Sequence, residues 1–278
     1  MRRFLLIAVA AGAAFLALAT PAGSALPNDI TTVTGIFSAD QSHSNFKLAC
    51  PKGSVALGGA PVRVPSGVAV GRSVPGESTR SWLFSFSSQS PATVKAEVRC
   101  ASVRFPGKKV HFQLGTSAAF ETKVPAGSTL RLKLTCTTGL VPTGLGQDQT
   151  PVPGGGPRTP GAISIQSALP TEHAFILRLR NDGTSTAEGD YHLRCLKRTV
   201  AHQGLDVSKL GFRDKLGDSG RIKHACKRGQ AALTAGWVLP SGATALRSSF
   251  LSSTRWGHWV FEPGQSRPRV KTTLLCLS

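Results

Sequence analysis

A chain of 278 residues with 33 Lys and Arg against 14 Asp and Glu carries a formal net charge of +19. Six cysteines with no C-x-x-C pair point to a disulfide frame in an oxidising compartment rather than to a metal or redox centre. There is no G-x-S-x-G elbow, and the seven histidines, at 43, 111, 173, 192, 202, 224 and 258, never fall at the H-x-x-x-H spacing of a zinc site, so neither nucleophilic nor metal catalysis is supported and no cofactor is expected.

The chain opens with Met1-Arg2-Arg3, an apolar run from Phe4 to Leu18, and small residues up to Ala25. That order predicts a signal peptide over 1–25 and a mature chain beginning near Leu26. The apolar run is about 15 residues, short of the roughly 20 that cross a bilayer, and no later segment is long or apolar enough to span. Without Arg2 and Arg3 the charge is +17, and the ~253 residues that remain fit one large domain or two to three small ones.

The first predicted repeat, residues 31–105, is framed by Cys50 and Cys100, 50 residues apart. Phe46, Leu48 and Cys50 alternate along one strand, and Val94, Ala96, Val98 and Cys100 along another, which is β periodicity with cysteine on the buried face. Between them come Cys50-Pro51-Lys52-Gly53, the pair Gly58-Gly59, and an aromatic strand carrying Trp82, Phe84 and Phe86. The glycines read as a bulge or a close backbone approach and the aromatics as core. Lys95, Glu97 and Arg99 fill the alternate positions, as expected of a sheet with one wet face.

The second repeat, 106–197, spaces Cys136 and Cys195 by 59 residues and repeats the turn as Cys136-Thr137-Thr138-Gly139. Phe175, Leu177 and Leu179 take the place of the aromatic strand, and His192 and Arg194 that of the wet face. The extra nine residues fall in a Gly/Pro-rich stretch that predicts an exposed loop insertion over 140–162. Asp182 and Asp190, across the Asn181-Asp182-Gly183 turn, are an example of a carboxylate pair that acid–base chemistry could use, and turn chemistry explains them more simply.

The third repeat, 198–278, returns to a 50-residue frame between Cys226 and Cys276, with Cys226-Lys227-Arg228-Gly229, Gly236, and a strand carrying Trp259 and Phe261. His224 shares its alternating face with Ile222 and Cys226 and reads as a satisfied, half-buried histidine. From residue 196 onward 14 Lys and Arg stand against Asp206, Asp214, Asp218 and Glu262, a net of +10. Arg221, Lys223, Lys227 and Arg228 form the densest stretch and the candidate anion-binding site.

Six cysteines allow 15 connectivities; the repeat spacing favours Cys50 with Cys100, Cys136 with Cys195, and Cys226 with Cys276. A bond closing a loop of about 50 residues adds up to roughly 4 kcal/mol. The pattern Cys-Pro-x-Gly, Gly-Gly, a tryptophan strand and a strand ending in cysteine resembles a module of uncharacterised exported actinobacterial proteins. It is most complete at Cys50, Pro51, Gly53, Gly58, Gly59, Trp82 and Cys100. The second repeat lacks the proline and the tryptophan, and the third lacks the proline and keeps one glycine of the pair. The resemblance implies export and β structure and brings no activity or functional residue.

The expected fold is all-β, either three tandem disulfide-bonded sandwiches of immunoglobulin-like form, the favoured arrangement, or one threefold β-prism in which each repeat supplies a sheet. The expected function is that of a secreted, non-enzymatic binding or cell-surface-associated protein. Its partners would be an anionic cell-wall polymer, a polysaccharide or lipid headgroups. Nucleic acid is not favoured, because the aromatics lie at core positions and are not interleaved with the basic residues. The alternatives are a structural cell-envelope protein and a hydrolase acting on an acidic polymer.

Overall fold

Period-two apolar patterning carries through to the structure, a computed structural model that describes residues 30–40, 44–102, 114–150, 162–197, 199–200, 203–204, 206–239, 246–252, 255–261 and 268–277. None of these residues is helical. The signal segment 1–25 lies outside the described residues.

Three groups of six strands follow one another. The first unit holds β1 (Ile30–Ala39), β2 (Ser44–Ala49), β3 (Ser54–Arg63), β4 (Val68–Pro75), β5 (Ser81–Ser88) and β6 (Ala92–Ser102). The second holds β7 (Leu114–Val124), β8 (Thr129–Thr135), β9 (Leu140–Asp148), β10 (Ile163–Pro170), β11 (Ala174–Asn181) and β12 (Ala187–Lys197). A two-stranded hairpin, β13 (Thr199–Val200) with β14 (Gln203–Gly204), leads into the third: β15 (Val207–Lys215), β16 (Arg221–Ala225), β17 (Ala231–Val238), β18 (Leu246–Ser252), β19 (Trp256–Phe261) and β20 (Arg269–Leu277).

The antiparallel pairing is the same in every unit. The sixth strand lies between the first and third (β1-β6-β3, β7-β12-β9, β15-β20-β17), and the fifth between the second and fourth (β2-β5-β4, β8-β11-β10, β16-β19-β18). Disulfides Cys50–Cys100, Cys136–Cys195 and Cys226–Cys276 tie the end of each second strand to the sixth, and so join the two sheets of the unit. The turn after each first cysteine needs its glycine: Gly53, Gly139 and Gly229 have φ of 83°, 80° and 85°, where a Cβ would be strained.

Each unit has its sheets facing each other across a core. Ala39, Leu48, Trp82, Phe84, Phe86 and Val98 fill the first, the aromatic residues at 0 % exposure. Phe175, Leu177 and Tyr191 of the second unit and Trp237, Trp259 and Phe261 of the third belong to one continuous core. The continuity exists because sheets cross the unit boundaries. β4 pairs with β9, and β10 with β17, which gives two six-stranded sheets, β2-β5-β4-β9-β12-β7 and β8-β11-β10-β17-β20-β15. β18 lies alongside β3 in the corresponding place. The all-β, disulfide-framed expectation holds, and the sheets run across the unit boundaries as well as within each repeat.

Two expectations are corrected here. The alternate face of each sixth strand is not wholly wet: Arg99, Arg194 and Thr273 are buried, at 5 %, 4 % and 0 % exposure. That face turns toward the other units, and next to it Val55, Leu57, Ala101, Val141, Leu196, Leu233, Leu275 and Leu277 build a central core from all three. Residues 140–148 are also not loop but strand β9, inside a six-stranded sheet. Their glycines are there because backbones pass: a Cβ on Gly144 would come within 2.7 Å of the Leu57 carbonyl oxygen, and one on Gly146 within 2.7 Å of that of Ser73. The rest of the expected insertion, 151–161, lies outside the described residues.

Candidate functional site

Strand register assembles a charged surface that no single segment contains. Across β15, β20, β17, β10, β11 and β8 the residues directly opposite one another are Arg213, Lys271, Val238, Ser167, Arg178 and Arg131. Residues paired in this way project on the same face of a sheet, so this is one row crossing six strands and two units. Arg213, Lys271, Arg178 and Arg131 are all exposed. Lys215 opposite Arg269 adds two more cations on one flank, and Lys133 and Arg180 lie beside Arg131 and Arg178 on the other. Within this group, among the described residues, only Arg180 is paired with a carboxylate, that of Asp182.

Like charges placed directly opposite one another cost stability. The fold itself does not require them. In the sister sheet the equivalent row is Glu121, Asp190, Asp148, Arg72, Ser85 and Asn45. There Arg72 answers the carboxylates, its Nε donating to Asp148 Oδ2 at 2.7 Å. Two sheets of the same construction thus differ in charge at equivalent positions: Glu121 and Asp190 stand where Arg213 and Lys271 do, and Ser85 and Asn45 where Arg178 and Arg131 do.

The four cations singled out from sequence lie elsewhere on the third unit. Arg221 and Lys223 project from β16, Lys227 and Arg228 from the turn that follows, and all four are exposed. Lys223 Nζ sits 4.1 Å from the centroid of the Trp256 ring, a cation–π contact. Between them, His224 points inward: its ring stacks on Phe212 of β15 at 3.7 Å, and Nε2 lies 2.8 Å from Asp214 Oδ2. Arg213 and Lys215 flank Asp214 on β15 and face the other way. The third unit is therefore cationic on both outer faces, and the structure does not bring the sequence-derived site into the six-stranded row.

The carboxylates Asp182 and Asp190 are not brought together. Asp182 sits on the turn beside Arg180, where Gly183 N–H donates to Asn181 Oδ1 at 2.8 Å, and Asp190 stands in the sister sheet between Glu121 and Asp148. No group of three metal-ligating side chains exists among the described residues.

A cavity of about 880 Å³ is lined by the third and fourth strands of all three units. Leu57, Val68, Leu145, Phe175, Trp237 and Leu251 give it apolar walls, and Gly58, Gly59, Gly144 and Gly146 also line it. Arg99 reaches it from β6, with Nη1 donating to the Ala232 carbonyl across the unit boundary. Burial lowers the Arg99 guanidinium to about 10, and it does the same to Arg194. Glu97, also in the lining, is held by Lys95 Nζ at 2.9 Å, and Thr34 donates a hydrogen bond to it.

Another recurring contact lies at the first cysteines. Arg80 donates from Nε and Nη2 to the Cys50 carbonyl, and Arg255 does the same to Cys226. A sequence signal for it exists, since Ser78-Thr79-Arg80 recurs as Ser253-Thr254-Arg255.

These features define an all-β, disulfide-framed protein with a cationic sheet face and a cavity lined by all three units. No family model matches the chain, and no curated protein matches it.

Proposed function

We propose that this chain is an exported, non-enzymatic binding protein that holds an extended polyanion, an acidic wall polymer or anionic polysaccharide, on the sheet face built from β8, β11, β20 and β15. The observation that carries the reading is the row Arg213, Lys271, Arg178, Arg131, whose like-charge oppositions cost stability and whose equivalents in the sister sheet are largely acidic or neutral. Positive charge spread merely for dispersal in water has no reason to collect in register across two units. Three disulfides fit an oxidising compartment, and no helix among the described residues is long and apolar enough to cross a membrane.

Sheet twist favours a flexible polymer over a flat lipid surface. Strands rotate by roughly 20–25° each, so the two ends of a six-stranded row differ in direction by about 100°. A bending chain can follow that path, whereas a planar bilayer meets one end at a time. No aromatic side chain takes part in the row, which removes the stacking platform that single-stranded nucleic acid uses.

The test is binding to heparin and to polyglutamate across a salt series, for the wild type and for Arg131→Ser/Arg178→Ser/Arg213→Ser/Lys271→Ser. The expected result is a loss of at least about tenfold in affinity at low salt and a shallower salt dependence. The set Arg221→Ser/Lys223→Ser/Lys227→Ser/Arg228→Ser is expected to lose less. Unchanged binding by the first variant would remove the reading.

A further inference from the structure

The first and second strands of each unit end its sheets and give the molecule six outer edges, β1, β2, β7, β8, β15 and β16. An open edge offers unpaired N–H and C=O groups to any strand that approaches, and natural sheets guard such edges with charge. Five of the six carry charged side chains, among them Lys47, Lys123, Arg131, Lys209 and Arg221. The ten residues of β1, Ile30–Ala39, carry none in a chain of net charge +19, and among the described residues β1 pairs only with β6. On this strand Ile36 stands 72 % exposed, and among the described side chains it is the only large hydrophobic one that is exposed. We propose that the β1 edge is an interface with a second copy of this chain, the two β1 strands pairing antiparallel about a two-fold axis at Gly35.

Three observations favour a second copy over an unrelated strand. The fold already joins its units in this way: antiparallel pairing of β4 with β9 and of β10 with β17 makes six-stranded sheets, and pairing of β1 with its counterpart would do the same for β1-β6-β3. About Gly35 the two faces match. Val33 and Phe37, partly buried against the core of the first unit, come opposite the second copy's Phe37 and Val33, and Ile36 comes opposite its Thr34. Charge is complementary as well. Thr34 stands opposite Glu97 on β6 and Ile36 opposite Lys95, so each row across the joined sheet runs Lys95, Ile36, Thr34, Glu97, with the lysine from one copy and the carboxylate from the other. The same pairing of two β8 strands about Leu132 would set Arg131 against Lys133, cation against cation.

The experiment is sedimentation velocity on the whole protein, without polymer, over a dilution series reaching about 0.1 mM. The wild type should pass from monomer to dimer. Thr34→Lys/Ile36→Lys sets lysine against lysine on both sides of the axis and should weaken the dimer at least about tenfold. Thr34→Lys/Ile36→Glu sets lysine against glutamate in the same two places and should return the affinity to within about threefold of wild type. Thr34 and Ile36 are both exposed, so the two variants should keep the wild-type urea midpoint, and their opposite behaviour at the same positions separates pairing from misfolding. A wild type that stays monomeric throughout, or equal weakening by the two variants, would overturn the proposal. So would a dimer that Thr34→Lys/Ile36→Lys leaves intact; if Arg131→Ser/Arg178→Ser/Arg213→Ser/Lys271→Ser then abolishes it, the contact runs through the cationic sheet face instead.

Discussion

Arg99 and Arg194 each precede the second cysteine of their unit, where the third unit has Leu275. All three side chains are buried, yet one is aliphatic and two are charged. Arg194 is the more exposed to a simple test, because its Nε and Nη2 meet no acceptor among the described residues. Burial lowers the Arg194 guanidinium to about 10, well below its ordinary range, so the charged form is penalised in the folded chain at neutral pH. The unfolded chain holds the proton more tightly, so wild-type stability rises relative to an uncharged variant only above about pH 10, and below pH 10 the penalty is constant. Arg194→Leu should therefore raise the urea midpoint at pH 7, by about 1–3 kcal/mol in stability. A fall in the midpoint would show that the guanidinium has partners that hold it. This residue was legible as polar from its place in the alternation, and its burial was not. Period two separates the faces of a strand and says nothing about what each face meets.

At the scale of elements, the cysteine frames, the turn glycines and the aromatic strands could all be read from the chain, because each depends on residues within one unit. The seams could not. Pairing of β10 with β17 joins residues about 70 positions apart and follows irregularities that shift the register, between Ile165 and Ser167 on β10 and between Ala232 and Thr234 on β17. Gly236 was visible as a site of close approach, though not what approaches it. A Cβ there would lie 2.1 Å from Pro170 Cδ and 2.4 Å from the Ala168 carbonyl oxygen, both on β10. Gly236→Ala should therefore push the seam open and cost at least about 1–3 kcal/mol in chemical denaturation. Gly211→Ala, on β15 with nothing within 4 Å of the added carbon, should stay within about 0.5 kcal/mol of wild type. Equal effects at the two positions would mean that the seam is not packed as described.

Over the whole molecule, joining sheets across units changes what charge can do. Counted along the chain, the third repeat is the basic one, and the densest stretch is 221–228. Across the sheets, half of the cationic row comes from the second unit, through Arg131 and Arg178, whose segment draws no attention by composition. Summing charges by repeat could not find it, since the row exists only once register is fixed across six strands. If one polymer lies along that row, binding must depend on its length. Five strand spacings of about 4.8 Å give a span near 24 Å. The direct measurement is affinity for size-fractionated polyanions by the wild type, by Arg131→Ser/Arg178→Ser and by Arg213→Ser/Lys271→Ser. Chains longer than about 24 Å should bind the wild type at least tenfold tighter than shorter ones, and either double substitution should abolish that advantage by removing one end of the row. A length dependence that survives both substitutions, or none in the wild type, would contradict a single face spanning two units.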